Sequence, residues 1–230
     1  MVARCGEVRL RHWAHKGRLL CDPWWENETE WHRAWKNQFP PECQEILQTA
    51  GDGQRHIGDV KTADGWVIEF QHSYITPEER RSREVFYPKL IWVVDGTRRK
   101  RDRAQVINAW KEGVPVGANS PVRKVFSIDR GLLREWADSN APVFLDLGEL
   151  ERLWWILAKN TNGWAYVYPI SRALFIEWHR SSATVPARQL GEFVSDILPK
   201  VIAEYESHLR AQTVRWGPMQ RRRSRRRFRF

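Results

Sequence analysis

The stretch "HIGDVKTADGWVIEFQHS", residues 56–73, constrains this chain more than any other part of it. Two short apolar runs flank an Asp-Gly turn signal, a pattern that reads as a β-hairpin. Each arm nonetheless carries one acid among hydrophobic neighbours, Asp59 in the first and Glu69 in the second. Side chains alternate faces along a strand, so Asp59 shares a face with Ile57 and Lys61, and Glu69 with Val67 and Gln71. The turn decides whether the acids meet. A three-residue loop, Ala63–Asp64–Gly65, with Gly65 in the left-handed position, sets Asp59 opposite Glu69 with Cβ atoms about 5 Å apart. A loop of two or four residues would send the acids to opposite faces.

Facing carboxylates raise each other's pKa unless a cation sits between them. A divalent metal suits such a pair, because Mg²⁺ takes one or two carboxylates and keeps its waters for a phosphate. It can stabilise the charged transition state of phosphodiester cleavage and help to activate a water. The same spacing equally fits a hairpin face on which both acids simply meet water.

The surroundings read as alternating helix and strand. Asp22–Pro23 predicts a helix start, and Trp31, Trp35 and Phe39 recur at helical spacing before Pro40–Pro41 stops them. "QEILQTA" is a first strand, and the hairpin arms supply the next two. "TPEERRSREVFYP" predicts a helix opened by Thr76–Pro77, and "KLIWVVDG" a buried strand. Beyond residue 96 the pattern weakens: "TRRKRDRAQVINAW" is a basic connection entering a helix. "KVFSI", "PVFLDLG", "RLWWILAK" and "AYVYPI" are strand-like. "QLGEFVSDILPKVIAEYESHLRAQ" is one helix, with Pro199 as its expected kink. This divides the chain into a basic segment 1–21, a core 22–95, an extension 96–212 and a tail 213–230.

Charge narrows the partner class. The net charge is +10, and the tail "RRRSRRRFRF" alone holds 7 arginines, including Arg221, Arg222 and Arg223. Such a balance suits a polyanion, nucleic acid first, although a solvated tail or one touching anionic lipid has the same composition. No run of 18 apolar residues exists, the N-terminus lacks an apolar signal core, and three Cys make no disulfide framework. A cytoplasmic location is the expectation. The 14 Trp suit a core better than stacking platforms for bases, with Trp24, Trp25, Trp31 and Trp35 open to either use.

The residues "RHIGDVKTADGWVIEFQHSYI", with "ETEWHRAWK" upstream and "REVFYPKLIWVVD" downstream, resemble the competence-protein CoiA-like family, a branch of the PD-(D/E)XK nuclease superfamily. The resemblance covers residues 5–95. It implies an α/β fold with an α-β-β-β-α-β core, a mixed sheet flanked by helices, and Mg²⁺- or Mn²⁺-dependent hydrolysis of DNA. It further implies Asp59, Glu69 and Glu30 as metal ligands, and Gln71 where most of the superfamily has Lys. Gln carries no charge, so it would position a water or phosphate by hydrogen bonding. A nearby cation must then stand in for the Lys, with Lys61 the first candidate and Lys36 and His32 behind it. His32, Lys36, His72 and Ser73 are candidates for contacting the DNA backbone. Each has a plainer use: Glu30 favours a helix start through the dipole, and His32 and Lys36 lie four apart as on a solvated face.

Cys5, His12, His15 and Cys21 have zinc-compatible types, and "HWAH" echoes an element of the same family that can bind structural zinc. No Cys pair lies two to four apart as structural zinc sites usually require. Two other readings remain open: a non-catalytic nucleic-acid-binding module on a nuclease-like fold, and a structural or regulatory partner protein. Whether DNA is single- or double-stranded, and whether the chain forms a homo-oligomer, the sequence leaves open.

Overall fold

The computed structural model describes residues 2–4, 12–14, 24, 28–50, 53–117, 121–157, 163–180, 184, 188, 189, 192 and 196–223. The chain is α/β: one large mixed sheet carries helices on both faces.

Two short strands, β1 (Val2–Arg4) and β2 (His12–Ala14), pair antiparallel as a separate ribbon. Helix α1 (Glu30–Lys36) follows, then strands β3 (Gln44–Thr49), β4 (Arg55–Lys61) and β5 (Val67–Gln71). Helix α2 (Pro77–Phe86) leads into β6 (Leu90–Asp95). The remainder is α3 (Asp102–Glu112), β7 (Val114–Pro115), β8 (Arg123–Phe126), α4 (Gly131–Trp136), β9 (Val143–Asp146), β10 (Arg152–Leu157), β11 (Trp164–Ser171), α5 (Arg172–His179) and α6 (Leu198–Arg223). Nine strands form the large sheet in the order β3-β4-β5-β6-β9-β10-β11-β8-β7. The pairs β5–β6 and β6–β9 are parallel and the rest antiparallel. The sheet therefore runs unbroken across residue 96, where a boundary was expected, because β9 joins directly onto β6.

The layers follow from alternation. Ile68, Phe70, Ile91 and Val93 face one side and meet Trp35 of α1, Phe175 of α5 and Leu198 of α6. Val67, Trp92 and Val94 face the other side and meet Val106 of α3 and Leu132, Leu133 and Trp136 of α4. Every residue of β5, β6 and β9 is buried, as expected for parallel strands covered on both faces.

Helix α1 is too short to persist in isolation, so the burial of Trp35 and its stacking on Phe70, 5.6 Å away, hold it. Asp22 and Pro23, the expected helix start, lie outside the described residues, and the N-cap of α1 is Thr29. Its hydroxyl accepts from the backbone N–H of His32, while the His32 side chain accepts from the backbone N–H of Thr29. A His at the third position replaces the Glu or Gln that makes such a box recognisable. Helix α2 starts as read, with Thr76 accepting from the Glu79 N–H and Pro77 in the first turn. Pro199 is the second residue of α6 and follows directly on the π-helical residues 196 and 197, an irregular turn at the expected position. Among the described residues no helix is long and apolar enough to cross a membrane.

Candidate active site

The hairpin has the odd-numbered loop. Val60 pairs with Ile68 and Lys61 with Val67, and the Thr62 N–H donates to the Trp66 carbonyl at 2.8 Å. Ala63–Asp64–Gly65 is thus the three-residue loop, with Gly65 at φ +79°. The paired register ends at Val60 and Ile68, so Asp59 and Glu69 each lie one residue beyond the last ladder partners of their arms.

The ladder stops at Val60 and Ile68, and Asp59 takes over at the fork. Its Oδ2 accepts from the Phe70 backbone N–H at 2.9 Å, replacing the strand partner that β5 loses there. On the other side of β4 the pairing with β3 skips the same position: Gln44 pairs with Val60 and Ile46 with Gly58. Glu45, in between, adopts φ +53°, a left-handed conformation that costs a non-glycine residue about 1 kcal/mol or more. The kink directs Glu45 onto Lys36, whose Nζ lies 2.9 Å from Glu45 Oε1 and 2.5 Å from Glu28 Oε1.

Gly58 makes room beside the acids. A Cβ added there would come within 2.8 Å of Val67 Cγ1 and 3.6 Å of Glu69 Oε1. Glu69 is buried, and its Oε2 lies 3.4 Å from Arg83 Nη1 of α2. Arg83 is itself buried and also binds Glu79 and the Trp24 carbonyl.

Electrostatics acts on Asp59 and Lys36 together. Burial pushes the Asp59 pKa above its ordinary value, against the opposing pull of the Phe70 N–H and of Lys36, His32 and Arg83. Burial also disfavours the charge on Lys36, yet its bonds to Glu28 and Glu45 and the charge of Asp59 prevail and raise its pKa. Lys36 is thus one of the cations whose charge acts on Asp59, with His32 and Arg83. Lys61, the first candidate from sequence, donates to Gln48 Oε1 at 3.0 Å instead. Glu30 is the exposed first residue of α1.

The residues after β5 turn towards the ends of the parallel strands. Gln71 is buried and donates to the Ser73 carbonyl at 3.1 Å. His72 Nδ1 lies 2.7 Å from Asp95 Oδ2, and its ring sits 5.9 Å from that of His32 and 6.2 Å from that of Trp31. Asp95 and Asp146 stand in register at the ends of β6 and β9. The sequence reading missed both. Asp95 Oδ1 accepts from the N–H and hydroxyl of Thr97 at 2.8 and 2.6 Å. Asp146 Oδ2 accepts from the indole N–H groups of Trp31 and Trp35 at 3.1 and 2.9 Å and from Arg172 at 3.3 Å, and its Oδ1 from the Gly148 N–H. The available signal was an Asp closing each of two otherwise apolar runs, "LIWVVD" and "VFLD".

The donors at Asp59 and Glu69 suit a hard cation. One is an acid whose burial resists ionisation, and the other is buried against Arg83. Among the described residues no three His, Cys, Asp or Glu side chains are grouped to hold a metal. Cys5, His15 and Cys21, like the side chain of His12 and those of Arg221, Arg222 and Arg223, lie outside the described residues, as does Trp25. Trp35 is fully buried, and Trp24 stacks on His56 at 3.4 Å. No protein-family model, no curated protein and no solved structure matches this chain.

Proposed function

We propose that this chain is a metal-dependent DNA nuclease with a PD-(D/E)XK-type site formed by Asp59, Glu69 and Gln71. The observation that supports the reading is the three-residue hairpin loop with Val60 opposite Ile68 and Lys61 opposite Val67, which leaves one acid of each arm just beyond the paired residues. Asp59 and Glu69 would hold Mg²⁺ or Mn²⁺, which supplies charge neutralisation and a more acidic water when bound. Asp59 stays oriented through the Phe70 N–H, and Arg83 fixes the Glu69 carboxylate from behind. Lys36 provides the positive charge that Gln71 lacks, and it is itself aimed by Glu28 and Glu45. Gln71, tied to the Ser73 carbonyl, orients the turn on which His72 and Ser73 meet the DNA backbone. Glu30, at the exposed start of α1, is an outer ligand at most.

A second reading has an observation of its own. Both acids already have protein partners, Phe70 for Asp59 and Arg83 for Glu69, which would suit a retired site that binds nucleic acid without cutting it. Plasmid and single-stranded DNA incubated with Mg²⁺ or Mn²⁺ separate the two. The nuclease reading expects cleavage by wild type and a loss of at least about 100-fold in Asp59→Asn and Glu69→Gln. Equal cleavage by all three proteins contradicts it, and absence of cleavage under either metal favours the binding module.

A further inference from the structure

The β6–α3 connection, "GTRRKRDR", places its charges at the carboxyl ends of the parallel strands. That is the end at which ligands of open α/β sheets approach. Arg98 lines one cleft with His72, Ser73 and Asp95. Lys100 and Arg101 line the adjoining recess with Arg134 and Asp129. Arg98, Lys100, Arg101 and Arg103 are all exposed.

Arg99 behaves differently from its neighbours. It bonds both oxygens of Glu135 at 2.6 and 2.9 Å and Asp102 at 2.6 Å. This bidentate clamp ties the loop to α4 and uses up two of the acids that would otherwise offset the patch. Arg80, also lining the cleft, is spent on Asp138 and the Glu135 carbonyl. Glu149 touches Arg103 only at 4.0 Å. Arg98, Lys100 and Arg101 make no ion pair with any described residue. Holding like charges together on a pinned loop costs stability unless an anion meets them.

We infer that this loop is the nucleic-acid-docking surface of the chain, with Arg98, Lys100 and Arg101 contacting successive backbone phosphates as the strand passes His72 and Ser73. The cations are strung along a loop and a helix start instead of converging on one point, so they fit a polymer of phosphates and not a single phosphate. The inference goes beyond the nuclease reading and stands without it, because docking needs no cleavage.

The test uses the full chain in EDTA, so that binding is read without cutting. Affinity for fluorescein-labelled 30-mers, single- and double-stranded, is measured by anisotropy from 50 to 300 mM NaCl. The triple variant R98E/K100E/R101E is compared with wild type and with K111E/K200E, a reversal of exposed lysines elsewhere on the fold. The Arg-rich tail is identical in all three proteins, and an unchanged melting temperature shows that the fold is kept. The expected result is an affinity loss of about tenfold or more in the triple variant only, with the salt slope lowered by about 2–3. A triple variant that matches K111E/K200E in affinity and slope overturns the inference. So does wild type that binds heparin but neither DNA. Salt-sensitive binding that is lost in the triple variant, with no cleavage under Mg²⁺ or Mn²⁺, would remove the nuclease reading and leave this one standing.

Discussion

Two pairs of acids sit a few residues apart in this fold and live under opposite conditions. Asp95 and Asp146, at the ends of β6 and β9, are surrounded by donors: Thr97 and His72 for one, two tryptophans, Gly148 and Arg172 for the other. Asp59 and Glu69, on the hairpin, are held differently. Asp59 accepts from the Phe70 N–H, and Glu69 meets Arg83 at 3.4 Å. Buried carboxylates ringed by donors act as anchors, whereas at Asp59 burial outweighs the donor and the nearby cations and raises the pKa. The contrast teaches that burial of an acid is not a functional sign in itself.

The largest effect that could break the contrast is on stability at Asp146. Asp146→Ala strands two indole N–H groups and Arg172, so the expected loss is about 3–5 kcal/mol, read by urea denaturation. A loss under about 1 kcal/mol would show that Asp146 is no anchor. Next comes Gly58→Ala, whose new methyl must displace Val67. The expected loss is about 1–3 kcal/mol, read by urea denaturation, and a loss under about 0.5 kcal/mol would show that Val67 yields freely.

Asp59→Asn runs in the opposite direction. The fold raises the Asp59 pKa, so between the ordinary carboxylate value and the raised one the folded state holds more protons than the unfolded state. Stability from this group is present below the ordinary value and falls as pH rises through that window. In EDTA, Asp59→Asn is therefore expected to melt above wild type at pH 8, with the advantage vanishing near pH 4. A variant less stable than wild type at pH 8 would place Asp59 with the anchors. The smallest effect belongs to Glu30→Gln, which is exposed: stability should change by under about 0.5 kcal/mol, and cleavage by a few-fold at most. A loss of cleavage as large as that of Asp59→Asn would instead make Glu30 a direct ligand.

Legibility in the sequence followed locality. The hairpin was readable from its Asp-Gly turn signal, whereas the three-residue loop that sets its register was one of several loops the sequence allowed. Helix α2 was readable from Thr76–Pro77. The N-cap of α1 was missed, since the capping function of Thr29 rests on a histidine and Asp22–Pro23 carries the more familiar signal. The short helices α4 and α5 went unread, the latter because it follows β11 without a break. The Asp95–Asp146 pair was invisible for a different reason: parallel strands set far-apart residues side by side, and no local spacing records it. Lys36, a candidate beside Lys61, acts on Asp59 from a different element, and alternation along β4 does not record such a neighbour.

The most direct test is calorimetric titration of Mn²⁺ into wild type, Asp59→Asn and Glu69→Gln at pH 7.5. Saturable binding by wild type, lost in each single variant while the fold persists, is the expected result. Binding of equal strength in all three proteins would contradict a shared metal between the hairpin arms.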